Sequence, residues 1–403
     1  MDIPRIISVD DHVIDPPNLW LDRLPAKFHD RAPRVVRKRA QGIEAIDGKT
    51  SIVESPDAKW ADIWLYDDVA VPLTAGVTAV GPTRDLVAST LMTYDEILPG
   101  CWQQKARLED MDLNWTDAQI CFPQFPRFCG QTFLERDDKQ FALMCIEAYN
   151  DFMIDEWCAG DGAGRLIPLT IVPLWDAELA AAEIRRCADK GSHAVTFSEC
   201  PPYLGLPSVY SGYWDPFFAA CDETDTVINM HVGSSSTMLT TSADAPVTMV
   251  AAMNFVYLAA ALGDWLFAGI LARFPNLRVA LSEGQAGWMP YMLERVDSLW
   301  ERSDIYVANM HDRVPERPSS YVPGRIFGCI YDDVAGLRAR DQIGMSQIMF
   351  ESDYPHADST FPHTARVAEK LIAEAGLDEH ETWQLLRGNA IACYRLDRYG
   401  ITQ

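Results

Sequence analysis

From Trp102 onward the chain alternates short β-branched or apolar runs with amphipathic helical stretches, an order that few architectures accept. The spacing predicts a helix over Gln103–Asp112, a strand over Asp117–Pro123, a long helix near Lys139–Cys158 and a strand over Leu166–Leu174. Helix Ala177–Lys190, strand Ala194–Cys200, helix Pro216–Asp222 and strand Val227–Val232 continue the pattern. An apolar helix over 249–273 leads into strand Leu277–Ser282, and helix Trp288–Glu301 precedes strands Arg325–Tyr331 and 347–352. With Pro4–Val9 (PRIISV) at the start, eight strands mostly separated by helices predict an α/β chain folded as a (β/α)8 TIM barrel.

Residues 16–100 break the alternation with hairpin-like pieces such as VVRKRAQGIEAIDGKT and ADIWLYDD. They read as a cap inserted after the first strand of one domain spanning 1–403, which helices over 364–403 close. A length of 403 residues with 48% hydrophobic content suits a large barrel with such an insertion. A net charge of −24 argues against nucleic acid or an anionic membrane as partner. Ten scattered cysteines without a CxxC pair read as reduced core thiols. No basic region followed by an apolar core opens the chain, so a cytoplasmic location is expected. The run Met249–Leu271 is apolar enough to weigh as a membrane span, but Asn254 and Asp264 favour a buried helix, as outer layer or as the interface of a homo-oligomer.

In such a barrel the chemistry sits at the C-terminal strand ends. Strand one ends in Asp10-Asp11-His12, where alternation sets Asp10 and His12 on one side and turns Asp11 away. Strand five ends in His231, strand six in Glu283, and strand eight in Asp353 with His356 just beyond. Singly, each has a plain explanation as a loop cap. Three carboxylates and three imidazoles at four strand ends point to a metal site. Six donors exceed what one tetrahedral zinc needs, and a mixed N/O set suits iron or manganese. Two iron ions are therefore expected, with a single zinc or manganese ion as the competing reading. Barrel-borne binding without catalysis is least favoured, because crowding these acids with no ion between them incurs charge repulsion.

The motifs ISVDDHVIDPPNLW, RLEDMD, RFPNLRVALSEGQAGWMPYMLERVD, FESDYPHADSTFP and LLRGNAIACYRL, in this order, resemble the amidohydrolase-related TIM-barrel metalloenzymes. That resemblance implies metal ligands at Asp10, His12, His231 and Asp353. Glu283, where a histidine is more usual, and the additional His356 make the chain similar to a subgroup that contains a nonheme diiron monooxygenase of platensimycin and platencin biosynthesis. The resemblance implies dioxygen activation on a hydrophobic acyl substrate carried by coenzyme A, with electrons from an external donor, since no dinucleotide fingerprint is present. Metal-dependent hydrolysis or nonoxidative decarboxylation is the alternative, with Glu283 or Asp353 moving the proton. For the carrier's phosphates the cap offers Arg31, Arg34, Arg37, Lys38 and Arg39, equally readable as a solvated hairpin face. Trp20, Trp60, Trp64, Tyr203 and Tyr213 fall in segments able to roof an apolar pocket or simply to pack.

Overall fold

Strand β1 (Ile6–Val13) is buried along its whole length, which explains its unbroken apolar start: a parallel strand covered on both faces has no solvent side to mark with polar residues. The computed structural model describes residues 3–46, 49–78, 80 and 86–402, so the predicted hairpin tip at 47–48 lies outside the described residues. After β1 come four antiparallel strands, β2 (Arg34–Ile46), β3 (Lys49–Glu54), β4 (Trp60–Tyr66) and β5 (Val69–Pro72), paired in the order β3-β2-β4-β5. Seven further strands follow, β6 (Thr116–Pro123), β7 (Leu166–Ile167), β8 (Ala194–Phe197), β9 (Val227–His231), β10 (Val279–Ser282), β11 (Ile326–Ile330) and β12 (Ile348–Phe350).

These seven and β1 form two parallel arcs, β1-β6-β7 and β12-β11-β10-β9-β8. An isolated parallel bridge, Thr170 to Val195, joins the arcs on one side. On the other, the Asp353 amide donates to the Asp10 carbonyl (2.9 Å) and the His12 amide to the Tyr354 carbonyl (2.6 Å). The ring is thereby closed as a (β/α)8 barrel. Its interior is filled by Ile7, Val9, Ile120, Phe122, Ala280 and Met349, so it is a packed core with chemistry confined to its rim.

The antiparallel sheet leaves and rejoins the barrel at one place, where the Ile14 amide donates to the Cys101 carbonyl (2.9 Å). Tyr94 ties the same junction, its hydroxyl donating to the Asp15 carbonyl (2.6 Å). Three local expectations are corrected. The strand predicted over Leu166–Leu174 ends at Ile167, because Pro168 and Pro173 have no amide hydrogen to give a ladder. The helix predicted over 249–273 is three helices, Val247–Ala252, Phe255–Phe267 and Ile270–Arg273, with Gly269 at φ 72° turning the chain before the last. The middle helix buries one face through Leu258, Ala261, Leu262, Trp265 and Leu266, although Val247–Phe267 is long and apolar enough to pass for a membrane span. The helix predicted to reach Cys158 is regular from Lys139 to Phe152 and widens into a π-type turn over Met153–Trp157.

Asp15, beside the cap junction, supplies a test of this packing. It is fully buried, one oxygen accepts the Phe125 amide at 2.6 Å, and the other has no donor among the described residues. Burial pushes its pKa up to about 7 against the amide bonds that oppose the rise. A carboxyl raised in the fold binds its proton more tightly there than in the unfolded chain. Its contribution to stability is therefore full below the unfolded value near 4 and is lost as pH climbs to 7, at about 1.4 kcal/mol per pH unit. Asp15→Asn keeps an acceptor for Phe125 without titrating. Thermal melts should show the variant gaining on the native protein between pH 5 and pH 8; a constant difference would refute the assignment.

Candidate metal centre

All six acids and imidazoles singled out at the strand ends meet at the C-terminal mouth of the barrel. β1 carries an extra residue against β6 between Ser8 and Asp11, a bulge directly beside Asp10. Asp10 and His12 then face the mouth, while Asp11 turns to the neighbouring strand and accepts the Ser352 hydroxyl (2.6 Å) and the Tyr354 amide (2.8 Å). Glu283 and Asp353 both hold φ of 58°, a left-handed conformation that is unfavourable for residues with a Cβ. Strain of this kind, about 1–3 kcal/mol per residue, recurs where side chains are re-aimed into a site.

His12 Nε2 lies 3.6 Å from Asp10 Oδ1, 3.4 Å from Asp353 Oδ1 and 3.3 Å from His231 Nε2. His231 Nε2 is also 3.4 Å from Asp10 Oδ2 and 3.8 Å from Glu283 Oε2. Donors about 2.1 Å from one ion and roughly 90–110° apart lie about 3.0–3.4 Å from each other, which is nearly this set. The His231 Nδ1–H donates to the Val232 carbonyl (2.7 Å), leaving the lone pair on the Nε2 that faces the cluster. Neither oxygen of the fully buried Asp10 has a hydrogen-bond donor among the described residues. A buried carboxylate without donors is costly, and a cation among Asp10, His12, His231 and Asp353 removes that cost. The residues fit a divalent ion.

A second group overlaps the first. Oxygens of Glu283, Asp353 and Asp358 come close enough together to hold an ion, and His356 Nδ1 sits 2.9 Å from Asp353 Oδ1 with its ring stacked on His12 at 3.8 Å. The Glu283 amide donates to Glu351 Oε2 (3.2 Å), bringing one more buried acid beneath the site. Electrostatics follow from this crowding. Burial and then the other carboxylates raise the pKa of Asp10 and Glu283, and burial raises that of Glu351. Burial lowers His12 to about 4 and holds His231 well below the usual imidazole range, so both imidazoles are neutral and able to ligate. Burial opposes charge on Asp353 and His356 too, yet each overrides it for the other: the carboxyl is held low and the imidazole high.

Beneath the cluster, Arg107 is buried completely. It donates to the carbonyls of His12 (2.6 Å) and Gly100 (2.7 Å) and to Gln119 Oε1 (3.2 Å), and lies 4.2 Å from the Tyr354 ring centre. A Cβ at Gly100 would stand 2.0 Å from Asp110 Oδ2, so any other residue there has to displace that side chain. Sequence reasoning missed Glu351, Asp358, Arg107 and Gln124. Only Glu351 carried a signal, its two-residue spacing from Asp353 across a strand end.

The cationic cluster of the cap is engaged within the chain. Arg31 pairs with Asp67 and Asp138, Arg37 with Asp62 and Asp95, and Lys38 with Glu54, while Arg39 lies over Trp60. Arg34 donates to the Ala32 carbonyl. Among the aromatics, Trp20 is core, its indole donating to the Cys145 carbonyl, and Trp64 stacks on Phe125; Trp60, Tyr203 and Tyr213 are exposed.

A parallel barrel with clustered acids and imidazoles at its C-terminal mouth is the architecture of a large class of hydrolytic and lyase enzymes. The chain belongs to the amidohydrolase family, whose profile matches residues 68–396. It is 24% identical over 315 residues to 2-amino-3-carboxymuconate-6-semialdehyde decarboxylase of Dictyostelium discoideum, covering 75% of this chain and 80% of that one. An amidohydrolase from Mycobacterium avium subsp. paratuberculosis superposes with a TM-score of 0.66 at 19% identity, over 99% of this chain and 98% of that one. The 5-carboxyvanillate decarboxylase of Novosphingobium aromaticivorans, in complex with manganese and 4-hydroxy-3-methoxy-5-nitrobenzoic acid, superposes with a TM-score of 0.61 at 16% identity, over 97% and 96%.

Proposed function

We propose that this protein is a metal-dependent, nonoxidative decarboxylase of a small unsaturated or aromatic carboxylic acid. The observation that carries this reading is the meeting of Asp10, His12 and His231, with Asp353 3.4 Å from His12 and Glu283 as a partly buried acid at the edge. The similarity to decarboxylases in sequence and fold supports it. A divalent ion held by those four residues supplies Lewis acidity toward the substrate's carboxylate. Glu283, kept protonated by burial among carboxylates, is placed to give its proton to the carbon that loses carbon dioxide. His356 holds Asp353 ionised and oriented. Glu351, accepting from the Glu283 amide, fixes the strained backbone from which that acid projects.

The test is turnover of a panel of hydroxylated and unsaturated carboxylic acids by protein loaded with manganese or zinc, with carbon dioxide as the readout. Equal rates with and without oxygen, abolished by a chelator, are expected. Ring-opening or amide cleavage without carbon dioxide release would replace decarboxylation by hydrolysis.

The overlapping donor groups that share Asp353 favour a second reading, a dinuclear iron monooxygenase with an external electron donor. It predicts two irons per chain and oxygen uptake that requires a reductant. The reading does not extend to a coenzyme A carrier, because Arg31, Arg37 and Lys38 are already paired with acids of this chain.

A further inference from the structure

Between the cap sheet and the barrel lies a cavity of about 310 Å³, walled by Trp64, Val71, Leu73, Phe125, Gln124 and Thr74 among others. We propose that this cavity seats an uncharged, apolar body of the substrate, with Gln124 joining it to the metal centre. The inference rests on the centre handling the substrate's carboxylate, as argued above, and adds what the rest of the molecule must look like.

Three features carry it. The first is position. Gln124 immediately follows β6 at the barrel mouth, lines the cavity, and has its Oε1 3.4 Å from His356 Nε2. His356 in turn stacks on His12, so one side chain spans the distance from cavity to cluster. The strap that bounds the cavity is fastened to the same loop, since the Ala357 amide donates to the Gly76 carbonyl (3.1 Å). The second is construction. Trp64, 4% exposed, stacks on Phe125 with ring centres 4.9 Å apart and abuts Trp20 edge-on. Trp64 is paired on the other side to Val71 in the β4–β5 ladder, so the wall is rigid before any ligand arrives. The third is chemistry. Among the described residues the lining includes no Asp, Glu, Lys, Arg or His, and its polar side chains are Gln124 and Thr74. A charged group placed there would lose its hydration without a partner, whereas an arene or alicycle gains about 25 cal/mol for each Å² it buries. The volume falls at the lower end of small-ligand pockets, which fits one or two fused rings.

The test is calorimetric titration of manganese-loaded protein with acetate and 2-naphthoate, and fluorescence titration with the neutral 2-naphthol. Two variants fill the cavity from separate walls, Ala70→Trp on β5 and Val77→Trp on the strap. Metal content and melting temperature of each serve as the check on folding. In both variants 2-naphthoate and 2-naphthol should bind at least tenfold more weakly, with acetate unchanged within twofold. If either variant unfolds, the other decides. Naphthyl binding unchanged within twofold in a folded variant would overturn the proposal. Failure of the metal reading looks different: 2-naphthoate would bind the chelated and the loaded protein equally, while 2-naphthol still responded to Ala70→Trp.

Discussion

Asp353→Ala is expected to remove both metal retention and turnover. The residue belongs to two of the overlapping donor groups at the barrel mouth, one with His12 and His356 and one with Glu283 and Asp358, and it is the carboxylate that His12 and His356 share. Loss of a partner that merely orients a metal ligand lowers metal affinity or activity by about 10–100-fold, so loss of a ligand common to both groups should exceed that range. The same substitution relieves repulsion among buried acids, because Asp353 is one of the charges that raise Asp10, Glu283 and Glu351. It also strips the His356 imidazole of the carboxylate that holds it charged, so the readout is the effect of the metal: added manganese should raise the melting temperature of the native chain only. A variant that retains metal with activity within tenfold of native would remove Asp353 from the centre.

The second large effect is expected at Arg107, which touches no substrate. Its guanidinium is fully buried and bonded to the His12 and Gly100 carbonyls, to Gln119 and to Cys121. It also lies over the rings of Tyr354 and Trp157, and its charge adds to the Ser352 and Ser8 hydroxyls in opposing the burial of Asp11. Arg107→Met leaves those acceptors and that acid without the cation, a change that typically destabilises by about 3–5 kcal/mol. Lysine should not rescue it, since one ammonium cannot reproduce a planar fork with several fixed donors. Denaturant unfolding of both variants checks this; a loss below about 1 kcal/mol would show that the network is not structural.

The barrel was legible because parallel strands covered on both faces leave short apolar runs such as IISV and VINM, which from Trp102 onward alternate with helices. The rim residues were legible for a related reason: acids and imidazoles have no business at the end of such a run unless they face the mouth. What stayed hidden depends on contacts remote in sequence. The cap's cations read equally as a phosphate site or as a solvated hairpin face, and only the fold shows Arg37 neutralised by Asp62 and Asp95 and Arg31 by Asp138. No local pattern shows that residues 64–77 close over Gln124 and Phe125. The apolar run 249–273 broke where Met253-Asn254 and Gly269 interrupt it, a boundary that its hydrophobicity alone masks. The burial of Arg107 was not legible either, because nothing in RLEDMD says which side of the helix faces the barrel.

The central claim is that four side chains, brought together from β1, β9 and the end of β12, bind one divalent cation. Anomalous scattering from crystals of protein purified without added metal tests it most directly. The account predicts a peak about 2.0–2.3 Å from donor atoms of Asp10, His12, His231 and Asp353. Full activity in protein whose map holds no peak at that point would contradict it.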